Sequence, residues 1–377
     1  MKLFSRNFVI REPLLVTILF VLTLVLFAFT RAYSRAYDLR RYRLAQEWSF
    51  RGFSDLQANR PVPAVEEFRT ALLYDPQSWD YRSNLAIALL RAGHVRQAQE
   101  YFRTLWQARP QDGAINLQLA RLAAGENNSR DAERYFNGAI FGEWPETAAG
   151  DRRNALFEFV DYYLRRQDFR KAESQLLSLS ASLPEDPELQ HRVASLFLSV
   201  GDAQRSLEFN QKTLRHEPNN PSALHGAGAS AYKLGDFSQA QVYLSHALHQ
   251  NPSDEEARGL LDITQQALLL DSTAHGISNT ERARRVLNSF QIATLRLANC
   301  PASEESSSAR IVALRQHAAQ LQPTARMPGI LTRAESAEAL LDFSFQVEQQ
   351  TQSLCGLPSV EDQALLALAG RHIDQAR

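Results

Sequence analysis

The feature that most constrains this chain is a spacing. Small residues recur at Ala64, Ala98 and Ala132, and again at Ala172, Ser206 and Ala240, each step being 34 residues except one of 40. Four positions after each stands a bulky side chain (Phe68, Phe102, Phe136, Leu176, Leu244), with Asn210 as the exception. Three further on lies Ala71, Leu105, Ala139, Leu179 or Ala247, replaced by Thr213 in the weakest copy. Pro76, Pro110, Pro184, Pro218 and Pro252 close five of the six units. A period of this length predicts stacked helix pairs, because one pair leaves an apolar stripe that only its neighbours can cover. Arrays of this kind bind partners rather than transform substrates.

Each unit reads as two helices. In the unit opening at Pro221, Leu224, Ala227, Gly228 and Ala231 recur at helical spacing. Gly235 then suits the left-handed position past a helix end. Ala240, Leu244, Ala247 and Leu248 form a second stripe, and Asn251-Pro252 stops it because proline cannot continue a helix. The six extra residues between the third and fourth units fall within Ile140 to Arg152, beside Trp144-Pro145, and read as a surface insertion. After the last unit, Ser253-Asp254-Glu255-Glu256 has the form of a capping-box start. The helix it opens, with Leu260, Leu261, Ile263 and Leu268, is expected to cover the end of the array.

A second signal lies near the N-terminus. Pro13 to Thr30 is uncharged and almost wholly apolar. Eighteen residues of helix span roughly 27 Å, close to the hydrocarbon thickness of a bilayer. The apolar core of a cleaved signal peptide is normally shorter, and Arg31 interrupts the nearby Ala32-Tyr33-Ser34, so an uncleaved single-pass anchor is expected. Tyr33, Tyr37 and Tyr42 follow at interfacial depth. Lys2, Arg6 and Arg11 precede the span, whereas Arg31, Arg35, Arg40, Arg41 and Arg43 follow it, which favours cytoplasmic repeats.

The two cysteines point the other way. A helix opened by Ser278 and Glu281 is expected to run to about Asn299 and stop at Cys300-Pro301. A second is expected from Ser308 to Leu321, and a third from Thr332, with Glu335 completing a capping box, to Leu354 and Cys355-Gly356. Three helices joined by short loops run up, down and up, so the first and third finish at the same end. That places Cys300 and Cys355 together and favours a disulfide, which needs an oxidising compartment, over the alternative of two buried reduced cysteines. The extracytoplasmic side of a bacterial cytoplasmic membrane is therefore preferred for the soluble part, with the cytoplasmic side left open. A fourth helix, opened by Pro358-Ser359, ends the chain.

From Ala45 to Asp254 the chain resembles the tetratricopeptide repeat family. Trp48, Gly52, Ala64, Phe68, Ala71 and Pro76 fit the first repeat, and Leu85, Ala86, Gly93, Ala98, Phe102 and Pro110 the second. Leu119, Ala120, Ala132, Phe136 and Ala139 fit the third, and Phe159, Tyr163 and Ala172 the fourth. The fifth is degenerate, holding chiefly Ala194, Phe197, Gly201 and Pro218. The resemblance implies a curved superhelix whose concave face, made by the first helices, takes protein ligands. It assigns to that face Asp80, Ser83, Ile87 and Arg91, then Leu117 and Arg121, then Phe157, Asp161 and Arg165. His191, Ser195, His225, Tyr232 and Lys233 complete it. Aromatic, aliphatic and oppositely charged residues together suit an extended peptide or a partner helix. Of the family's carboxylate-clamp positions only Asn84 matches, while Ser49, Phe53, Ala114 and Gln118 do not, which argues against capture of a free C-terminal carboxylate.

Composition narrows the function further. A net charge of −1 leaves no broad basic field for nucleic acid. The juxtamembrane arginines are explained by attraction to anionic lipid headgroups. Gly226-Ala227-Gly228-Ala229-Ser230-Ala231 has the outline of a dinucleotide fingerprint, but no strand precedes it and its glycines occupy small packing positions. His246 and His249 lack a third ligand. No catalytic residue, metal or cofactor is expected.

The organisation expected is all-α: a basic segment over 1–12, an anchor over 13–30, a juxtamembrane basic segment over 31–44, and six repeats forming a solenoid over 45–254. A capping helix over 255–272 and a C-terminal helical bundle over 273–377 follow. The function expected is that of a non-enzymatic, membrane-anchored scaffold binding a protein or peptide partner, in envelope assembly or secretion by analogy with similar anchored repeat proteins. The alternatives are a self-associating, homo-oligomeric spacer and an enzyme with its site in the C-terminal region.

Overall fold

The computed structural model describes residues 8–145, 148–300 and 305–376. Among these the regular secondary structure is helical, with one isolated bridge between Asp112 and Glu143. Two compact units divide at Phe159 and Val160.

The first unit begins with α1 (Phe8–Gln57), a single helix that carries the apolar run directly into the first repeat. The sequence places an anchor, a basic segment and a repeat helix here. The structure joins the described parts of all three without a break, since no proline or glycine falls between Leu14 and Arg51. α2 (Pro61–Tyr74) packs against its C-terminal part. The pairs α3 (Trp79–Arg91) with α4 (Val95–Ala108), and α5 (Gly113–Gly125) with α6 (Ser129–Phe141), follow. α7 (Ala149–Arg165) runs across the division between the units. The second unit continues with α8 (Phe169–Ala181), α9 (Pro187–Ser199), α10 (Ala203–His216), α11 (Pro221–Lys233), α12 (Phe237–Gln250) and α13 (Glu255–Leu270).

The thirty-four-residue period is a burial period. Ala64, Ala98, Ala132, Ala172, Ser206 and Ala240 all have zero exposure, and Phe68, Phe102, Phe136, Leu176 and Leu244 are buried with them. Gly228 is small for packing reasons, because a Cβ there would stand 2.6 Å from Leu244 Cγ.

Two further series share the period. Ser78 and Asp112, then Asp186, Asn220 and Asp254, cap first helices by accepting a backbone N–H of the opening turn. Asn128, Asp168, Asp202 and Asp236 do the same for second helices. Each cap satisfies a donor that the helix itself cannot pair. Between the helices of each pair stands one left-handed residue, among them Asn127, Gln167, Gly201 and Gly235 at φ of 56°, 58°, 93° and 74°.

The described part of the insertion after α6 is held at Glu143 and Trp144. Glu143 N–H donates to Gln111 O at 2.6 Å, and Trp144 Nε1 donates to Ala139 O at 2.7 Å. The indole lies where a Cβ on Gly113 would be, only 2.2 Å away.

The C-terminal helices are α14 (Asn279–Asn299), α15 (Glu305–Leu321), α16 (Met327–Thr332), α17 (Ala334–Thr351) and α18 (Val360–Ala376). Val286 and Phe290 of α14, Ile311 and Leu314 of α15, and Leu340 and Phe343 of α17 belong to one core cluster. Cys300 and Cys355 are bonded to each other, as the up-down-up reading predicts. Ser278 caps α14 as expected. Thr332 does not open the third long helix. It closes the short α16, with its hydroxyl donating to Pro328 O at 2.8 Å, because Pro328 at the start nucleates a separate turn of helix. Likewise the residue capping α13 is Asp254 rather than Ser253.

Candidate functional site

The fourteen residues assigned to the inner face do not share one environment. In the first unit, Asp80 and Arg91 are exposed on α3, with Ser83 and Ile87 half-buried between them. Arg91 is engaged, its Nη1 donating to Leu56 O at 3.2 Å. Leu117 and Phe157 are corrections to the expected surface: they are 5% and 1% exposed and belong to the core. The reason is local, since α5 buries Ile115, Asn116, Leu117, Leu119, Ala120, Leu122 and Ala123, more than one face of the helix. Arg121 is exposed but not free. It makes a bidentate pair with Glu158, Nε to Oε2 at 2.7 Å and Nη2 to Oε1 at 2.5 Å, and this hydrogen bonding raises its pKa. Arg121 thus ties α5 to α7.

In the second unit the structure draws His191, Ser195 and His225 into one groove of about 420 Å³, with Asn210 and Ser206 below and Asp254 at its end. His191 Nδ1 lies 3.1 Å from Asn210 Oδ1, and Asn210 Nδ2 donates to Ser206 O at 3.0 Å. Asn210 stands where other units hold a bulky apolar residue, and Gly226 makes room for it: a Cβ there would come within 2.7 Å of Asn210 Nδ2. Ser230 Oγ donates to Ser206 Oγ at 2.8 Å, so the floor is polar and internally bonded. His225 Nδ1 is 2.8 Å from Asp254 Oδ2, while Asp254 Oδ1 accepts the Ala257 N–H at 2.9 Å. Burial pushes the Asp254 pKa up, but the Ala257 amide and His225 outweigh it and the net shift is downward. One carboxylate therefore caps α13 and orients an imidazole.

Tyr232 and Lys233 belong to a second hollow, of about 1090 Å³, that the C-terminal region helps to build. Arg371 of α18 pairs with Asp271 at 2.7 Å, donates to Thr273 Oγ1 at 2.9 Å, and stacks over Phe237. Tyr232 meets Phe237 edge-on at 5.8 Å, and burial raises its pKa. Asp161 is half-buried and Arg165 exposed on α7. Among the described residues Arg165 and Lys233 have no ion-pair partner, so both charges are open to a ligand.

Sequence reasoning missed Asn210, Gly226 and Asp254 as parts of a site. The available signal was the joint departure of Asn210 and Gly226 from the pattern, which reads as decay until the two are seen in contact.

The family model described as tetratricopeptide repeat matches residues 89–141 and 197–262. Tetratricopeptide repeat protein 9C of Xenopus tropicalis is 37% identical over 65 residues, which is 17% of this chain and 36% of that protein. The match thus spans about a third of the frog protein's length. Among solved structures, the type IV pilus biogenesis factor PilW aligns at 19% identity over 58% of this chain and 98% of its own, with a TM-score of 0.41. PilF of Pseudomonas aeruginosa aligns at 16% over 58% and 96%, with a TM-score of 0.42. The C-terminal part of a repeat protein from Cytophaga hutchinsonii aligns at 12% over 63% and 92%, with a TM-score of 0.45. The match to the family model, together with the buried thirty-four-residue period, identifies tetratricopeptide repeats in this chain over residues 89–141 and 197–262.

Proposed function

We propose that the protein is a scaffold that captures an extended segment of a protein partner in the groove between α9 and α11. The observation that carries this reading is the pair of fixed imidazoles: His191 held by Asn210 and His225 held by Asp254, both on first helices and both lining one open groove. Pre-oriented polar groups in a concavity fix a peptide's direction at little entropic cost. Arg165 and Lys233, without an ion-pair partner among the described residues, add positive charge elsewhere on the first helices.

The scaffold is tethered to a bacterial cytoplasmic membrane by the apolar run of α1, and its soluble part lies outside the cytoplasm. Supporting the tether, Leu15 through Phe29 leave half or more of their large apolar side chains uncovered by the protein, an arrangement that suits lipid. Supporting the compartment, both cysteines of the chain are in one disulfide. In a peptide-display selection against the full-length protein in nanodiscs, the selected peptides are expected to bind the double variant His191→Ala, His225→Ala about thirtyfold more weakly, on the order of one hot-spot loss of about 2 kcal/mol. Peptides that bind both proteins equally well refute the groove. Arg121→Glu is a poor probe, because it places a carboxylate against Glu158.

A further inference from the structure

Among the described positions of α1, burial begins only at Ala45. Before and beside that buried face runs an uncovered one. Leu39, Tyr42, Phe50 and Phe53 are 59%, 54%, 74% and 50% exposed, with Gln46 exposed between them. At about 100° per residue these five positions fall within an arc of about 80°. Taking about 200 Å² per aromatic side chain, the three rings alone expose roughly 350 Å². That is short of the roughly 800 Å² per partner of a stable interface. The same face continues into the apolar run through Ala32, Ala28 and Val25, where small side chains let two helix backbones approach closely.

Charge identifies the occupant. Leu39, Tyr42, Gln46 and Phe53 follow heptad positions a, d, a and a, which puts Asp38 at g and Arg43 at e. Between parallel helices a g residue faces the e residue five positions further along the partner. Asp38 of one protomer therefore meets Arg43 of its partner, and the two-fold repeats the contact. Both side chains are exposed, and among the described residues neither has an ion-pair partner within its own chain. Arg35, on the same face, emerges just past the apolar run at headgroup level, where anionic lipid offsets its repulsion. We infer that α1 pairs in parallel with a second copy of itself through the Leu39–Phe53 face. The inference rests on the membrane reading, because two copies anchored in one bilayer necessarily emerge in the same direction.

The test uses the full-length purified protein in liposomes. The native cysteines are bonded to each other, so one introduced thiol is the only free one. Under mild oxidation Leu39→Cys and Gln46→Cys form covalent dimers, whereas Tyr37→Cys and Arg51→Cys, on the far side of the helix, stay monomeric. Adding Asp38→Arg to Gln46→Cys weakens the dimer about fivefold, as expected for two lost exposed ion pairs. Adding Arg43→Asp as well restores it. Equal crosslinking at all four positions, crosslinking at none, or no rescue by the charge swap overturns the inference. Circular dichroism of each variant shows that the helices are intact. Carbonate washing of the liposomes reads the anchor separately: release of the protein refutes the membrane reading whatever the crosslinks show.

Discussion

Replacing Glu348 by glutamine should remove most of the pH dependence of the second unit's stability. Glu348 is 2% exposed on α17, beside Arg296 of α14 and Asp362 of α18. Asp362 takes the shorter contact with the guanidinium, 2.9 Å against 3.3 Å for Glu348, and Thr351 accepts from Arg296 Nε at 2.8 Å. Among the described residues Glu348 Oε1 has no hydrogen-bond partner. Burial first, and then Asp362, outweigh the attraction of Arg296 and push the Glu348 pKa from 4.5 up to about 8. Across that window the native state holds a proton that the unfolded chain has released, so stability falls as pH rises. The slope is about 1.4 kcal/mol per pH unit, or about 5 kcal/mol over the whole interval. The contribution is fully present below pH 4.5 and gone above about 8.

Glutamine keeps the shape of the side chain and cannot titrate. Urea unfolding is the assay, with the four tryptophans at 48, 79, 106 and 144 reporting the first unit only. Far-UV circular dichroism then follows the second. With a slope of about 2.5 kcal/mol per molar urea, the wild-type midpoint for this unit should fall about 1.5 M further than the variant's between pH 5 and pH 9. Parallel profiles for the two proteins would refute the reasoning.

Two other outcomes can be checked on the same preparation. Replacing both Cys300 and Cys355 by serine opens a link across 55 residues and should cost the second unit up to about 4 kcal/mol; a reductant should lower the wild-type midpoint equally and leave the variant unmoved. Asp254→Ala should cost about 1 kcal/mol through the lost cap on α13. Because the Asp254 pKa is lowered in the fold, this difference should be present above pH 3.8 and shrink as pH falls below it.

The repeat architecture was legible because each unit writes its burial in the same place. A helix pair that must hide Phe68 against Ala64 leaves the same two residue classes at the same offset in the next pair, and one period then fixes the fold. The caps carry the same beat less visibly, since Ser, Asp and Asn interchange there. The inner surface was less legible. The family pattern states which way a position points, not whether a neighbour covers it. Leu117 and Phe157 are covered, and Arg121 has its own partner in Glu158, a residue whose pairing no spacing announces. The polar groove was hidden for a different reason: Asn210 and Gly226 make sense only together, and they are sixteen positions apart on different helices. The ion cluster around Arg296 joins three helices at separations that no local pattern encodes.

The C-terminal region is physically the end of the array rather than an appendage to it. A helix that merely closes a solenoid needs one apolar stripe. α13 has two, with Ala257 packed beside Ala240 and Leu244 on one side and Ala267 and Leu270 packed against Leu365 and Leu368 of α18 on the other. Phe237, at the start of the last repeat's second helix, is buried in that same second cluster. Removing 273–377 would uncover Phe237, Ala267 and Leu270 together and dismantle the hollow that holds Tyr232 and Lys233. A fragment ending at the last repeat is therefore the wrong object for measuring what this surface binds. The first helices supply the groove around His191 and His225, but the walls around Tyr232 are built by residues that the repeat pattern does not reach.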